Sequence, residues 1–116
     1  MSTIPEKRMA VLVAVSPSEE LLAACRESTR YVGATNVEVT GVKSVATDVA
    51  KWRPFAIVIE EELFAFDPSE FIALARDVAA EVVTVPTSLG RDELVAILLP
   101  RLKVALKRWE ATEGSY

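Results

Sequence analysis

The sequence predicts a single three-layer α/β domain, an open parallel sheet of about four strands with helices on both faces. Apolar runs alternate with amphipathic stretches in the order β-α-β-α-β-α-β-α, which is typical of this architecture. The connections are short, and no shift in composition marks a linker. A length of 116 residues suits one domain with one core, and a hydrophobic fraction of 51%, rich in Val, Ala and Leu, suits a buried parallel sheet. The domain therefore spans 1–116, with 1–7 and 111–116 expected to fray.

The first strand and helix have clear boundaries in the sequence. The run 9–15 is continuously apolar, as expected of a central strand that is covered on both faces. Residues 16–18, Ser-Pro-Ser, are followed by two glutamates, a pattern that favours a helix N-terminus. The helix is predicted to run to about Val32, where Gly33 supplies the left-handed residue that commonly ends a helix.

The next three elements are shorter. Residues 37–40 alternate apolar and polar side chains, which indicates a strand nearer the edge of the sheet. Apolar residues at spacings of four and three predict a helix over 44–52, ended by Pro54. The apolar run 55–59 is a third strand, and it leads directly into Glu60–Glu62. These carboxylates are therefore expected at the carboxyl end of a strand.

A loop over 64–68 is predicted to precede a third helix, which begins at Ser69 with Glu70 in its first turn. Residues 82–85 form the fourth strand, and the last helix runs over 91–109 with Pro100 inside it. Because proline removes a backbone donor and clashes with the preceding turn, it is expected to kink or divide this helix. The residues of the third helix predicted to face inward are Phe71, Ile72, Ala75, Val78 and Ala79.

The last helix carries two adjacent apolar stripes, more than one face of a sheet usually needs. Two interpretations remain open: the second stripe packs against a second copy of the chain, or a kink at Pro100 lets the helix wrap around its own core. The predicted dimer face consists of Val95, Leu99, Leu102, Leu106 and Trp109.

Composition excludes several classes of function. The net charge is −4, and the cations are scattered except for Arg101, Lys103, Lys107 and Arg108, so nucleic acid is not an expected partner. The chain has no histidine and one cysteine, which removes the usual ligands of transition metals and the Ser-His-Asp and Cys-His triads. We therefore expect no metal, no cofactor and no catalytic residue. Cys25 is predicted to be a packed core thiol.

The chain is expected to reside in the cytoplasm. Its first residues are charged where a signal peptide needs an apolar run, and a single cysteine cannot form an internal disulfide. The longest apolar runs are far shorter than the roughly 20 residues that span a bilayer, so no membrane insertion is expected.

The chain resembles the receiver domain of bacterial response regulators, which has a flavodoxin-like fold. The resemblance lies in the strand VLVAVS, the helix opening SPSEELL, the strand NVEVTGV, the helix SVATDVAKW, the stretch RPFAIVIE and the closing PTSLGRDELVAILLPRL. It implies that Glu60 stands where receivers have the phosphoacceptor aspartate. It also implies that the chain is about one βα unit shorter than a receiver, which leaves open whether the strand 82–85 matches the family's fourth or fifth.

The departures from the receiver pattern concern its phosphorylation pocket. Val15 and Ser16 stand where receivers hold the acidic pair that binds Mg²⁺, and Val85 stands where a lysine is expected. Thr87 is the candidate remnant of the switch hydroxyl, with an ordinary loop and helix cap as the other interpretation. Because phosphoryl transfer needs a metal and a cation to neutralise the developing charge, these departures predict no autophosphorylation by the family mechanism.

The sequence therefore favours a degenerate receiver that acts by binding other proteins in a regulatory or scaffolding system, without enzymatic activity. Alternatives are a small-ligand or nucleotide sensor, which needs a pocket at Ser16, Glu60 and Thr87, and an enzyme that uses Glu60 or Glu62 as a general base. The acidic cluster is either a solvated turn, a partner-binding patch or a fixed mimic of a phosphorylated receiver. The predicted partner surface consists of Glu60, Glu61, Glu62, Phe64 and Phe66.

Overall fold

A computed structural model describes residues 9–86 and 88–113. Ten elements follow one another along this part of the chain. In order they are β1 (Val11–Val15), α1 (Glu19–Val32), β2 (Thr35–Val39), a 3₁₀ turn (Val42–Ser44), α2 (Val45–Trp52), β3 (Ala56–Glu60), α3 (Glu61–Phe64), α4 (Pro68–Val78), β4 (Glu81–Val85) and α5 (Arg91–Glu113).

The sheet has four parallel strands in the order β2-β1-β3-β4, which confirms the predicted fold class. Central β1 pairs with both neighbours, so that Val13 lies opposite Val37 on one side and Ile57 on the other. In flavodoxin-like sheets of order 2-1-3-4-5, the strand beside the third is the fourth. β4 takes that position, and no fifth strand occurs in the described residues. Val85 is the last residue of β4, the edge strand beside β3.

Apolar side chains of the strands alternate between two cores, one on each face of the sheet. Leu12 and Val58 pack with α1 and α5 in the first core, where Leu98 is fully buried. Val13 and Ile57 pack with α2 and α4 in the second core. Because both faces of β1 and β3 are covered, their sequences are continuously apolar rather than alternating.

Local sequence signals set several helix boundaries. Gly33 ends α1 with a φ of 76°, as predicted from its position. Asp67 begins α4, where its carboxylate accepts a hydrogen bond from the Glu70 amide at 3.2 Å. Pro68 follows as the first helical residue, where the missing amide donor is not needed.

Of the two outcomes predicted for Pro100, a kink or a division of the last helix, division does not occur, because α5 continues as one helix to Glu113. Pro100 and Ala96 both lie on the exposed side of α5, so the Ala96 carbonyl that lacks an amide partner can bind water instead. Residues 111–113, which were expected to fray, belong to α5. Residues 1–7 and 114–116 lie outside the described part of the chain.

The region of the third predicted helix differs from the prediction in three respects. Residues 61–64 form the short helix α3, whereas the sequence pattern predicts no helix before Ser69. Of the residues predicted to face inward, Phe71 and Ala75 are buried, but Ile72 is exposed. Ala79 ends α4 in a left-handed conformation instead of packing within it.

Within the described residues, no helix combines the length and apolarity that crossing a bilayer requires.

Candidate functional site

The carboxyl edge of the sheet is the natural place for a site in this fold. The chain leaves β1 toward β2 on one side and returns to β3 on the other, which creates a switch point between the ends of β1 and β3. Open α/β sheets bind ligands in the crevice outside such a point. Ser16 and Glu60 lie here, at the ends of β1 and β3.

The side chains of Ser16 and Glu60 contact each other directly. The Ser16 hydroxyl donates a hydrogen bond to Oε1 of Glu60 and accepts one from the Ser18 amide at 2.8 Å. The Ser16 amide donates to the Val39 carbonyl at 3.0 Å. Ser16 is fully buried, and Glu60 is only 6% exposed. The two side chains therefore close the switch point, and a ligand would have to break their hydrogen bond to enter.

Burial corrects the prediction that Glu60 belongs to an exposed partner surface. Glu60 is the last residue of β3 and pairs with Val85 of β4, so neighbouring elements cover it. Val15 and Val85 are also fully buried, Val15 in the second core and Val85 in the first. The structure thus joins two of the residues predicted for a degenerate receiver pocket, Ser16 and Glu60. Thr87 lies outside the described residues.

The other residues of the predicted partner surface differ in exposure. Glu61 and Glu62 are exposed on α3. Phe64 is half-buried and stacks on Phe71, with 6.0 Å between the ring centroids, so it belongs mainly to the second core. Phe66, in contrast, is 84% exposed. Of the two aromatic residues, only Phe66 is available to anchor a partner.

Phe66 lines an apolar cleft that the sequence analysis did not predict. The cleft has a volume of about 460 Å³ and lies where the 3₁₀ turn and α2 face α3 and α4. Val45 and Phe71 are buried beneath it, whereas Val42 and Phe66 are exposed at its rim. The residues that line this α2–α4 cleft are Val42, Lys43, Val45, Ala46, Leu63, Phe66, Asp67, Glu70, Phe71 and Leu74.

Charge is unevenly distributed around the cleft. Asp67 and Glu70 line the α4 wall, and Lys43 lies on the opposite wall. Segment 61–78, which forms α3 and α4, has Arg76 as its one cation. Its carboxylates are Glu61, Glu62, Asp67, Glu70 and Asp77. Of these carboxylates, Asp67 and Glu70 line the cleft, so its α4 wall is acidic.

The predicted dimer face on α5 is largely used inside the domain. Leu102 is fully buried, so it cannot contact a second copy, and the prediction is wrong for this residue. Val95, Leu106 and Trp109 are partly buried and pack against the first core, while Leu99 is partly exposed. The second apolar stripe therefore widens the contact of α5 with its own sheet and α1.

Another cleft lies between the first turns of α1 and α5. It has a volume of about 600 Å³ and is lined largely by charged side chains, among them Glu20, Arg91 and Glu93. Glu20 accepts a hydrogen bond from the Arg91 amide at 3.1 Å, which ties the two helices together.

Among the residues described, no group of three or more His, Cys, Asp or Glu side chains has an arrangement that could hold a metal ion.

Cys25 is a core residue, as the sequence predicted. It is fully buried on α1, and burial, with a smaller contribution from nearby Glu38, raises the pKa of its thiol from 9.0 to about 12. The folded state therefore holds this proton more tightly than the unfolded chain, and the associated stability is lost as the pH rises from about 9 toward 12. At neutral pH the thiol is protonated and a poor nucleophile.

Comparison with solved structures supports the fold. The lactose-specific IIB component domain of the phosphoenolpyruvate:carbohydrate phosphotransferase system from Streptococcus pneumoniae matches with a TM-score of 0.52 and 16% identity, covering 87% of this chain and 97% of that one. A de novo designed Rossmann 2x2 fold protein matches with a TM-score of 0.49 and 15% identity, covering 93% of each chain. No protein-family model and no curated protein sequence matches the chain. The match to the IIB domain supports the open parallel α/β fold that the strand order β2-β1-β3-β4 shows.

Proposed function

We propose that this chain is a non-enzymatic protein-interaction module, a pseudo-receiver that binds its partner through the α2–α4 cleft. It would act in a bacterial regulatory or scaffolding system, and its binding would not depend on phosphorylation. The observation that carries this proposal is the apolar cleft of about 460 Å³ with Phe66 standing 84% exposed at its rim.

An exposed phenylalanine beside an apolar cleft is a strong candidate for an interface anchor. Burying such a side chain contributes roughly 2 kcal/mol, and aromatic residues are among those that dominate the energy of protein interfaces. Val42, also exposed, extends the apolar rim on the opposite wall. The polar rim formed by Lys43, Asp67 and Glu70 resembles the border of charged side chains that surrounds many interface cores.

The state of the carboxyl edge supports independence from phosphorylation. The resemblance to receivers puts Val15 and Ser16 at the positions of the metal-binding acids, and neither side chain is a carboxylate. Glu60, at the phosphoacceptor position, is buried and hydrogen-bonded to Ser16. A glutamate side chain at this position supplies fewer acceptor oxygens than a phosphoryl group.

Quantitative co-purification from the native host tests this proposal. The tagged wild-type chain is compared with Phe66→Ser and with a matched control, Tyr31→Ser, which alters an aromatic residue that is 69% exposed on α1. We expect the partner to be retained by the wild type and the control. Because Phe66→Ser removes about 2 kcal/mol of apolar contact, its affinity for the partner should fall roughly thirtyfold.

Thermal unfolding of each variant shows whether the fold is intact, and both substitutions are expected to be tolerated because the side chains are exposed. A partner that is recovered equally with wild type and Phe66→Ser would contradict the assignment of the cleft. Loss of the same partner with Tyr31→Ser alone would move the interaction surface to α1.

A further inference from the structure

The outer surface of α5 has the opposite charge to the α4 wall of the cleft. No carboxylate occurs between Glu93 and Glu110. The exposed cations in this interval are Arg101, Lys103, Lys107 and Arg108. Lys103 and Lys107 lie beside Val104, which is 51% exposed and is the one exposed large hydrophobic residue on this helix among the described residues. Arg108 forms an ion pair with Glu81 at 2.8 Å, and Arg101 donates to the Thr84 carbonyl at 3.5 Å.

This basic surface makes a symmetric contact between two α5 helices unfavourable. In a two-fold interface the same patch meets itself, so the cations of one copy would face those of the other. The apolar residues that could offset this repulsion, such as Leu98 and Leu102, are already buried in the first core. A contact that uses α5 therefore needs an acidic partner surface.

The chain itself carries such a surface at the α2–α4 cleft. Asp67 and Glu70 border the cleft on its α4 wall, Lys43 lies on the opposite wall, and the interior is apolar, whereas α5 presents Val104 beside Lys103 and Lys107. The two surfaces lie on opposite faces of the sheet, because α5 packs in the first core and α4 in the second. One molecule can therefore use both surfaces at the same time, because the two contacts do not overlap.

We propose that the α2–α4 cleft binds the outer face of α5 from a second copy of this chain, head to tail. Val104 of one copy contacts Phe66 in the cleft of the next, while Lys103 and Lys107 face Asp67 and Glu70. This inference rests on the proposed function, since it names the occupant of the same cleft. A contact between two different surfaces leaves a free cleft on one copy and a free α5 face on the other, so further copies can add in an open chain or a ring and association grows with concentration. Its charge component weakens with salt.

Sedimentation of two complementary variants tests the head-to-tail arrangement. Phe66→Glu alters the cleft and leaves α5 intact, whereas Val104→Glu alters α5 and leaves the cleft intact. At about 0.05 M salt, the average mass of the wild-type chain in solution is expected to rise above that of the monomer as its concentration increases. At about 0.5 M salt the rise should be smaller. Each variant alone should be monomeric. An equimolar mixture should form a 1:1 dimer, twice the monomer mass, and stop there because one cleft and one α5 face are disabled.

Tyr31→Glu, on α1, is the matched control and should associate like the wild type. A wild-type chain that stays monomeric at every concentration would overturn the inference, while the co-purification experiment would still decide the proposed function. Association that survives either Phe66→Glu or Val104→Glu would also overturn it, because one of the two surfaces would then play no part. Failure of the mixed variants to dimerise, when the wild type associates, would overturn the head-to-tail geometry.

Discussion

Ser16 joins three strand ends through its own backbone and side chain. Its amide binds the end of β2, its hydroxyl binds Glu60 at the end of β3, and the same oxygen accepts the Ser18 amide before α1. Buried polar groups are costly when they lose a partner. Ser16 therefore connects the carboxyl edge of the sheet to the first helix.

Replacing Ser16 with Ala is expected to lower the free energy of unfolding by about 1 to 3 kcal/mol. The substitution leaves the buried Glu60 carboxylate without its hydroxyl donor and the Ser18 amide without its acceptor. Urea denaturation followed by circular dichroism measures the change. Ser69→Ala, on the exposed first turn of α4, is the control and should change stability little. Equal stability of Ser16→Ala and wild type would contradict the role given to this hydrogen bond.

Predictions about single residues succeeded where the role of the residue depends on its local sequence. Gly33 and Cys25 took their predicted roles because a helix end and a packed helix face are local features. Glu60 did not, since the exposure of a strand's last residue depends on what pairs beside it and packs over it. Glu60 pairs with Val85 and is buried, and no pattern in its own segment indicates this.

At the scale of elements, α5 shows how solvent exposure reduces the cost of a residue that disfavours a helix. Pro100 removes a backbone donor within a helix, a change that usually costs about 3 kcal/mol. Here the unpaired carbonyl belongs to Ala96 on the exposed side, while Leu98 and Leu102 remain packed in the core. Tertiary packing on one side of the helix thus outweighs the local preference on the other.

Pro100→Ala is expected to raise the free energy of unfolding by about 1 to 3 kcal/mol, because alanine restores the amide donor and suits a helix interior. Chemical denaturation measures the difference. Pro68→Ala is the matched control, since a proline at the first helical position of α4 costs nothing and its loss should bring no gain. Lower stability of Pro100→Ala would mean that α5 needs the local geometry that proline imposes.

Elements with a strong internal pattern were predictable, and those shaped by contacts were not. The continuously apolar runs of β1 and β3 appeared where expected, within one or two residues. The four-residue helix α3 was missed because so short a segment carries no periodicity. Ile72 is exposed because α4 turns a narrower face to the sheet than its apolar content suggests.

At the scale of the whole molecule, the order of elements was enough to predict a parallel sheet with helices on both faces, and the sheet confirms it. Short connections and right-handed crossovers leave few other arrangements for alternating strands and helices. The cleft could not be predicted in the same way. Its walls come from separate elements, α2 with the 3₁₀ turn and α3 with α4, and it exists only once these pack side by side.

The central claim has two halves: the carboxyl edge of the sheet does not work as a receiver-type phosphorylation pocket, and the chain binds its partner at the α2–α4 cleft instead. Calorimetric titration of the wild-type chain with Mg²⁺, and then with beryllofluoride, tests the first half directly. We expect no saturable heat from either addition, because no acidic pair stands at the end of β1 and Glu60 is held by Ser16. Saturable binding of beryllofluoride that requires Mg²⁺ would contradict the account and identify a working phosphoryl site at this edge.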